Sequence, residues 1–309
     1  MNNTSLWCRV ALVVLSLVSC SPFYDTSKTG EDTRTSRSLA LHYETYGDGP
    51  PILFLHGFGA SSYTWNNLVK PLSETNKVIL LDLKGHGYSP KPADKAYSLQ
   101  TQAELVLAFI REHNLHDLTI VGHSLGGGIA LLTSLQLHTW AANPLSYLIL
   151  IDSVAHSQPL PLFVRVLRLP FIGPLVPTVI PTKTQVRHIL KLAFWDDSKI
   201  TEEMIEAYSA PLRLPGSRQA LAETAKQMVP TNIEEIAARY PTLTTPTLIL
   251  WGSHDEIVPI DVGRRLHDAV SNSKFVVVEH SGHIPHEEMP DSVVLEIRKF
   301  LSSSHARKF

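Results

Sequence analysis

The stretch Thr119 to Ala130, TIVGHSLGGGIA, sets a serine between two glycines where a strand-like apolar run gives way to a helix-like one. A serine hydroxyl is a weak nucleophile until a base takes its proton, and that base must reach it unobstructed. A sharp strand-to-helix turn would expose Ser124 at the carboxyl edge of a sheet. Gly122 and Gly126, two residues to either side, would let the backbones crowd together there, in the pattern G-x-S-x-G. A helix starting at Leu125 would also aim its first amides at the place where charge develops on a carbonyl oxygen. Acyl transfer is the chemistry these residue types suit.

Four further loops carry groups able to assist. LFLHGFGASSYTW, with His56-Gly57-Phe58-Gly59, and LLDLKGHGYSP, with Asp82, Gly85, His86 and Gly87, each follow an apolar run. LILWGSHDEIVP offers Asp255 and VVVEHSGHIPHEEMP offers His280, His283 and His286, while Asp152 ends the run YLILID. With 15 histidines in the chain, type alone does not single out the base. The H-x-x-H spacing of His280 and His283 lacks the Glu and the helical spacing of a zinc protease, so no metal is implied, nor any cofactor.

These loops need a scaffold, and the hydrophobic pattern supplies one. Strand-like runs fall at 38–46, 51–55, 77–82, 118–123, 146–151, 246–251 and 274–279, several of them continuously apolar, as in strands covered on both faces. Helical segments at about 62–75, 98–113, 125–138, 261–271 and 290–302 lie between them. Such alternation predicts an α/β fold, a mostly parallel, doubly wound sheet with helices on both sides. The long gap after Ile151 breaks the rhythm and carries helical segments near 183–194, 201–209 and 217–228, so 156–240 is expected to be an inserted helical cap between core segments 38–155 and 241–309. Its proline-rich start, with Arg165 and Arg168, is no spanning helix; its apolar residues suit buried cap faces and an apolar pocket lining.

From about Ala40 to Leu301 the sequence resembles the α/β-hydrolase superfamily, in its cap-bearing esterase and lipase-like branch, on the motifs just quoted. The resemblance implies a Ser, acid, His order along the chain. By motif position it assigns Ser124 as nucleophile, Asp255 as acid and His283 as base, with the backbone amides of Phe58 and Leu125 as oxyanion hole. Asp152 stays as rival acid, because some relatives draw the carboxylate from that earlier strand. His280 lies nearer its strand than His283, and His286, after a proline, is expected to face outward. His56, Asp82 and His86 are expected to hold loops, and His123 to pack away from Ser124 by strand alternation.

The composition fits this reading. Apolar residues make up 44% and charged ones 18%, with 27 Lys and Arg against 29 Asp and Glu, and no dense basic cluster suggests nucleic acid. Residues 1–20 begin polar with Arg9 and continue as an apolar run, Val10 to Val18, too short to span a bilayer, which is the pattern of an export signal. Both cysteines, Cys8 and Cys20, lie within it. Leu17-Val18-Ser19-Cys20 resembles a bacterial lipobox, which implies lipid modification at Cys20, palmitate included, and an envelope lipoprotein held at a membrane. Ser21 in place of Asp points to the outer membrane, and the polar 21–37 reads as a tether.

A serine nucleophile argues for acyl transfer, with a small-molecule carboxylic ester as substrate, and against relatives that use aspartate there to open epoxides; the apolar cap and modest net charge favour an apolar acyl or aryl part. Hydrolysis of a carbon–carbon bond is the enzymatic alternative, and a ligand-binding protein on the same fold the non-enzymatic one.

Overall fold

A computed structural model describes residues 40–169 and 180–305; the expected signal, the tether and Cys20 lie outside the described residues. Seven strands, β1 (Tyr43–Tyr46), β2 (Pro51–Leu55), β3 (Lys77–Leu81), β4 (Leu118–His123), β5 (Leu145–Ile151), β6 (Thr247–Gly252) and β7 (Ser273–Val278), form one sheet in the order β1-β3-β2-β4-β5-β6-β7. Only β1 runs antiparallel to its neighbour; every other pairing is parallel. Each expected run yields a strand. The first is shorter than its apolar pattern, because pairing starts at Tyr43, opposite the last residue of β3, Leu81.

Strand alternation splits the core into two layers. Leu53, Leu55, Ile120, Leu148 and Leu150 face α2 (Leu99–Glu112) and α3 (Leu125–Leu137), whereas Ile52, Phe54, Val121, Ile149 and Ile151 face the other side, with Leu68 and Leu72 of α1 (Asn66–Ser73). Because both faces are covered, β4 and β6 are buried at every residue. Helix α3 is buried at 12 of its 13 positions, which explains its nearly all-apolar sequence. Ser98 caps α2, its Oγ accepting the Thr101 amide at 3.1 Å.

Between β5 and β6 the described residues form α4 (Leu162–Leu167), α5 (Thr182–Ala193), α6 (Glu202–Leu212), α7 (Ser217–Gln227) and α8 (Ile233–Ala237). Three of these fall where the sequence places helices. Val186, Leu190, Phe194, Ile205 and Tyr208 of this insertion share a small apolar cluster with Ile284, which follows β7. The chain closes with α9 (Ile260–Ala269), β7, the short α10 (Pro285–Glu288) and α11 (Pro290–His305). Among the described residues no helix is long and apolar enough to cross a membrane.

Candidate active site

Ser124 sits at the junction of β4 and α3 with φ +51° and ψ −116°, a strained conformation for a residue with a side chain. The flanking glycines make the turn possible. A Cβ on Gly122 would lie 2.5 Å from the Gly126 carbonyl oxygen, and one on Gly126 would lie 2.1 Å from that of Leu55. The Ser124 amide donates to Ile151 O at 3.0 Å, and its carbonyl accepts the amides of Gly127, Gly128 and Val154 at 3.0, 3.2 and 3.1 Å. The backbone is thus clamped on both sides while Oγ keeps no hydrogen-bond partner among the described residues. Gly57 lies directly over the serine, since a Cβ there would be 3.3 Å from Ser124 Cβ. The loop carrying Phe58 is therefore at the nucleophile, and neither the Phe58 nor the Leu125 amide donates to an acceptor among the described residues.

His283 follows β7 in a loop held from three sides. Its Nδ1 donates to Asp255 Oδ2 at 2.8 Å, its amide donates to Ala193 O at 2.7 Å, and its carbonyl accepts His123 Nε2 at 2.8 Å. Asp255 is fixed in turn, with Oδ1 accepting the amides of Ile257 and Val258 at 2.8 and 2.9 Å. Of the two acids left open by the sequence, Asp255 meets His283. Asp152 instead accepts the Gly252 amide at 2.9 Å, and burial, followed by the charge of Asp255, holds its carboxyl well above the usual range. Oxygens of Asp152 and Asp255 and a ring nitrogen of His283 come within 4.8 Å of one another. That trio has the residue types of a cation site, but the hydrogen bonds above already engage Asp255 on both oxygens.

The neighbouring histidines separate by environment. His280 is exposed, with φ +58°. His286 does not face outward: it is fully buried and stacked on Trp65, ring centroids 4.4 Å apart, with Nε2 2.9 Å from Thr64 Oγ1. His286 lies in α10, which starts at Pro285 and is buried throughout, and burial pushes its imidazole down to about 3. His123 does more than pack, since its ring carries the backbone of His283. His56 accepts the Leu83 amide at Nε2 (3.1 Å) and donates from Nδ1 to Gly57 O (2.8 Å), joining the loops after β2 and β3. Asp82 holds the same region, accepting the amides of Ser62 and Tyr88 at 2.7 and 2.8 Å. His86 Nδ1 reaches only its own loop, at Lys84 O.

Two acids escaped the sequence reading. Glu288 accepts the amides of Trp195 and Asp196, both at 3.0 Å, and of Gly282 at 2.6 Å. Glu287 accepts from Thr64 Oγ1 at 2.6 Å and from the Tyr208 hydroxyl, which also lies 2.9 Å from Thr64 Oγ1. Together they bind the insertion to the loop that carries His283. The one local signal was a Glu-Glu pair beside a candidate base; apart from Gly282, their partners lie 79 to 223 residues away.

A family model described as the alpha/beta hydrolase fold matches residues 50–290. The chain belongs to the α/β-hydrolase family. Among the relatives of this α/β hydrolase is the 2-hydroxymuconate semialdehyde hydrolase of Pseudomonas putida, 26% identical over 278 residues, covering 87% of this chain and 94% of the relative. The solved structure of the epoxide hydrolase CorEH superposes with a TM-score of 0.75 at 24% identity, over 85% of this chain and 95% of that one. A thermophilic esterase from Thermogutta terrifontis gives 0.71 at 24% identity, over 88% and 97%. Both structures share the fold of this α/β hydrolase.

Proposed function

We propose that the protein is a serine hydrolase that cleaves a carboxylic ester with an apolar acyl or aryl part. The observation that carries this reading is the 2.8 Å His283–Asp255 pair, held in a chain that also presents an unpartnered Ser124 Oγ on a strained turn. In the reaction, Ser124 Oγ attacks the ester carbonyl as His283 Nε2 takes its proton, and Asp255 holds the imidazole tautomer and stabilises the imidazolium. The negative oxygen of the tetrahedral intermediate is met by the amides of Phe58 and Leu125, a pair worth about 3 kcal/mol per donor. The proton passes to the leaving alcohol, water attacks the acyl-serine by the same base, and the acid departs with Ser124 restored.

In this reading residues 156–240 cap the site. Cys20 bears the lipid, and 21–37 tether the enzyme to a bacterial envelope membrane, where apolar esters collect.

A second reading, hydrolysis of a carbon–carbon bond by the same groups, is favoured by the relative named as a 2-hydroxymuconate semialdehyde hydrolase. Epoxide opening through an aspartate at the turn is disfavoured by Ser124 itself. Turnover of nitrophenyl esters of graded chain length beside a vinylogous diketone separates the two. Ester turnover without diketone cleavage is expected, with a fluorophosphonate label on Ser124 that Ser124→Ala abolishes. Ser124→Ala and His283→Ala should each reduce kcat on the order of 10⁶-fold. A tenth of the activity surviving in either, or label on another serine, overturns the assignment.

A further inference from the structure

At the carboxyl end of β5, Asp152 adopts φ +43°, a left-handed conformation that residues with side chains seldom take, and its side chain is fully buried. Oδ1 accepts the Gly252 amide of β6 at 2.9 Å. Oδ2 is buried too, and no N–H or hydroxyl among the described residues donates to it. The groups facing this carboxyl are Asp255, then His283 beyond it, with one atom from each of the three within 4.8 Å of the others, and the charge of Glu288 also bears on it. A carboxylate with a bare oxygen in a dry interior, next to a second carboxylate, is unfavourable twice over. A carboxylic acid whose O–H points at Asp255 removes both penalties. Burial and the neighbouring charge already act in that direction.

We propose that Asp152 is a positioning residue whose Oδ2–H donates to the Asp255 carboxylate and holds it in the orientation that receives His283 Nδ1. Asp255 is then gripped by the Ile257 and Val258 amides, by His283 and by Asp152, with no freedom left to turn from the imidazole. The strained backbone at Asp152 is the local consequence of aiming a side chain from β5 sideways across the end of β6. This inference rests on the proposed role of His283 and Asp255 as base and acid.

Asparagine is the discriminating substitution, because its Oδ1 still accepts from Gly252 and its Nδ2 still donates to Asp255, as the neutral acid does. Asp152→Leu removes the donor. The rate of fluorophosphonate labelling of Ser124 and the pH profile of kcat/KM are measured for both, with Asp255→Asn beside them. Asp152→Leu is expected to lose about 10- to 100-fold in rate, the scale of one hydrogen bond to a charged group. Its acid limb should move to higher pH by about half to one unit, since an Asp255 stripped of a donor favours the imidazolium more strongly. Asp152→Asn should restore both the rate, to within about threefold, and the limb. A loss in Asp152→Asn as deep as in Asp255→Asn would mean that Asp152 works ionised, and an unchanged Asp152→Leu would mean that it is idle; either overturns the proposal. If Asp152→Leu does not fold, infrared spectra decide. The wild type should show the carbonyl stretch of a protonated carboxyl at pH 8.5 that Asp152→Asn lacks, and its absence overturns the proposal. Should wild-type Ser124 take no label at all, the hydrolase reading fails, while the infrared band still reports on Asp152.

Discussion

Replacing Glu287 by Gln makes the stability of the protein less dependent on pH. Glu287 is 9% exposed, and burial pushes its carboxyl from 4.5 up to about 7, against the opposing effect of the Thr64 and Tyr208 hydroxyls. Below pH 4.5 the group is neutral in the folded and unfolded chains alike, so no penalty exists. Between 4.5 and about 7 the unfolded chain releases the proton while the folded chain keeps it, and stability falls; above about 7 the loss is complete. Each pH unit of that gap is worth about 1.4 kcal/mol, so the ionised form weakens the fold by about 3 kcal/mol. Glutamine stays neutral and can still accept from both hydroxyls. Urea unfolding of the wild type and Glu287→Gln, followed by circular dichroism at several pH values from 4.5 to 8.5, gives the difference in stability directly. That difference should grow in favour of the variant by about 3 kcal/mol across the range and level off above about pH 7. Taking the difference cancels every other titrating group common to the two chains. A constant difference would refute the reasoning, because it would place the Glu287 carboxyl in the ordinary range despite its burial.

Other consequences follow from the same contacts. Tyr208→Phe removes a donor from Glu287 and should cost about 1–3 kcal/mol, more at pH 8 than at pH 5, where Glu287 is neutral; equal losses at both values in the same urea assay would show that the hydroxyl does not serve the carboxylate. Gly126→Ala forces a Cβ to within 2.1 Å of Leu55 O and should destabilise the fold by roughly 3–5 kcal/mol and abolish fluorophosphonate labelling, whereas a variant that melts and labels like the wild type would remove the steric account of the turn. Cys20→Ala should release the protein from the membrane fraction and prevent incorporation of radiolabelled palmitate, while hydrolysis of water-soluble esters is unchanged; wild-type protein found soluble and unlabelled would end the lipoprotein reading.

What the sequence determined by itself is the part governed by local rules. Strand-like runs marked all seven strands, several of them continuously apolar because a strand covered on both faces, as β4 and β6 are, leaves few positions for a polar residue. Gly122 and Gly126 disclosed the strained turn at Ser124, since a side chain at either position collides with neighbouring backbone and the pattern therefore has to appear in the residues themselves. Tertiary structure decided the rest, where the choice depends on which distant surfaces meet. Asp255 rather than Asp152 reaches His283 because β6 and β7 are neighbours and their following loops converge, a fact of strand order and not of either loop. His286 turned inward for want of any local instruction to do so: its site is made by Trp65 and Thr64, more than two hundred residues earlier in the chain. Glu287 and Glu288 drew no reading from the sequence, and are buried fasteners because the insertion folds its hydroxyl and amide donors over them. Burial is a property of the assembled fold, and it changes what a carboxyl or an imidazole does without changing a letter near it.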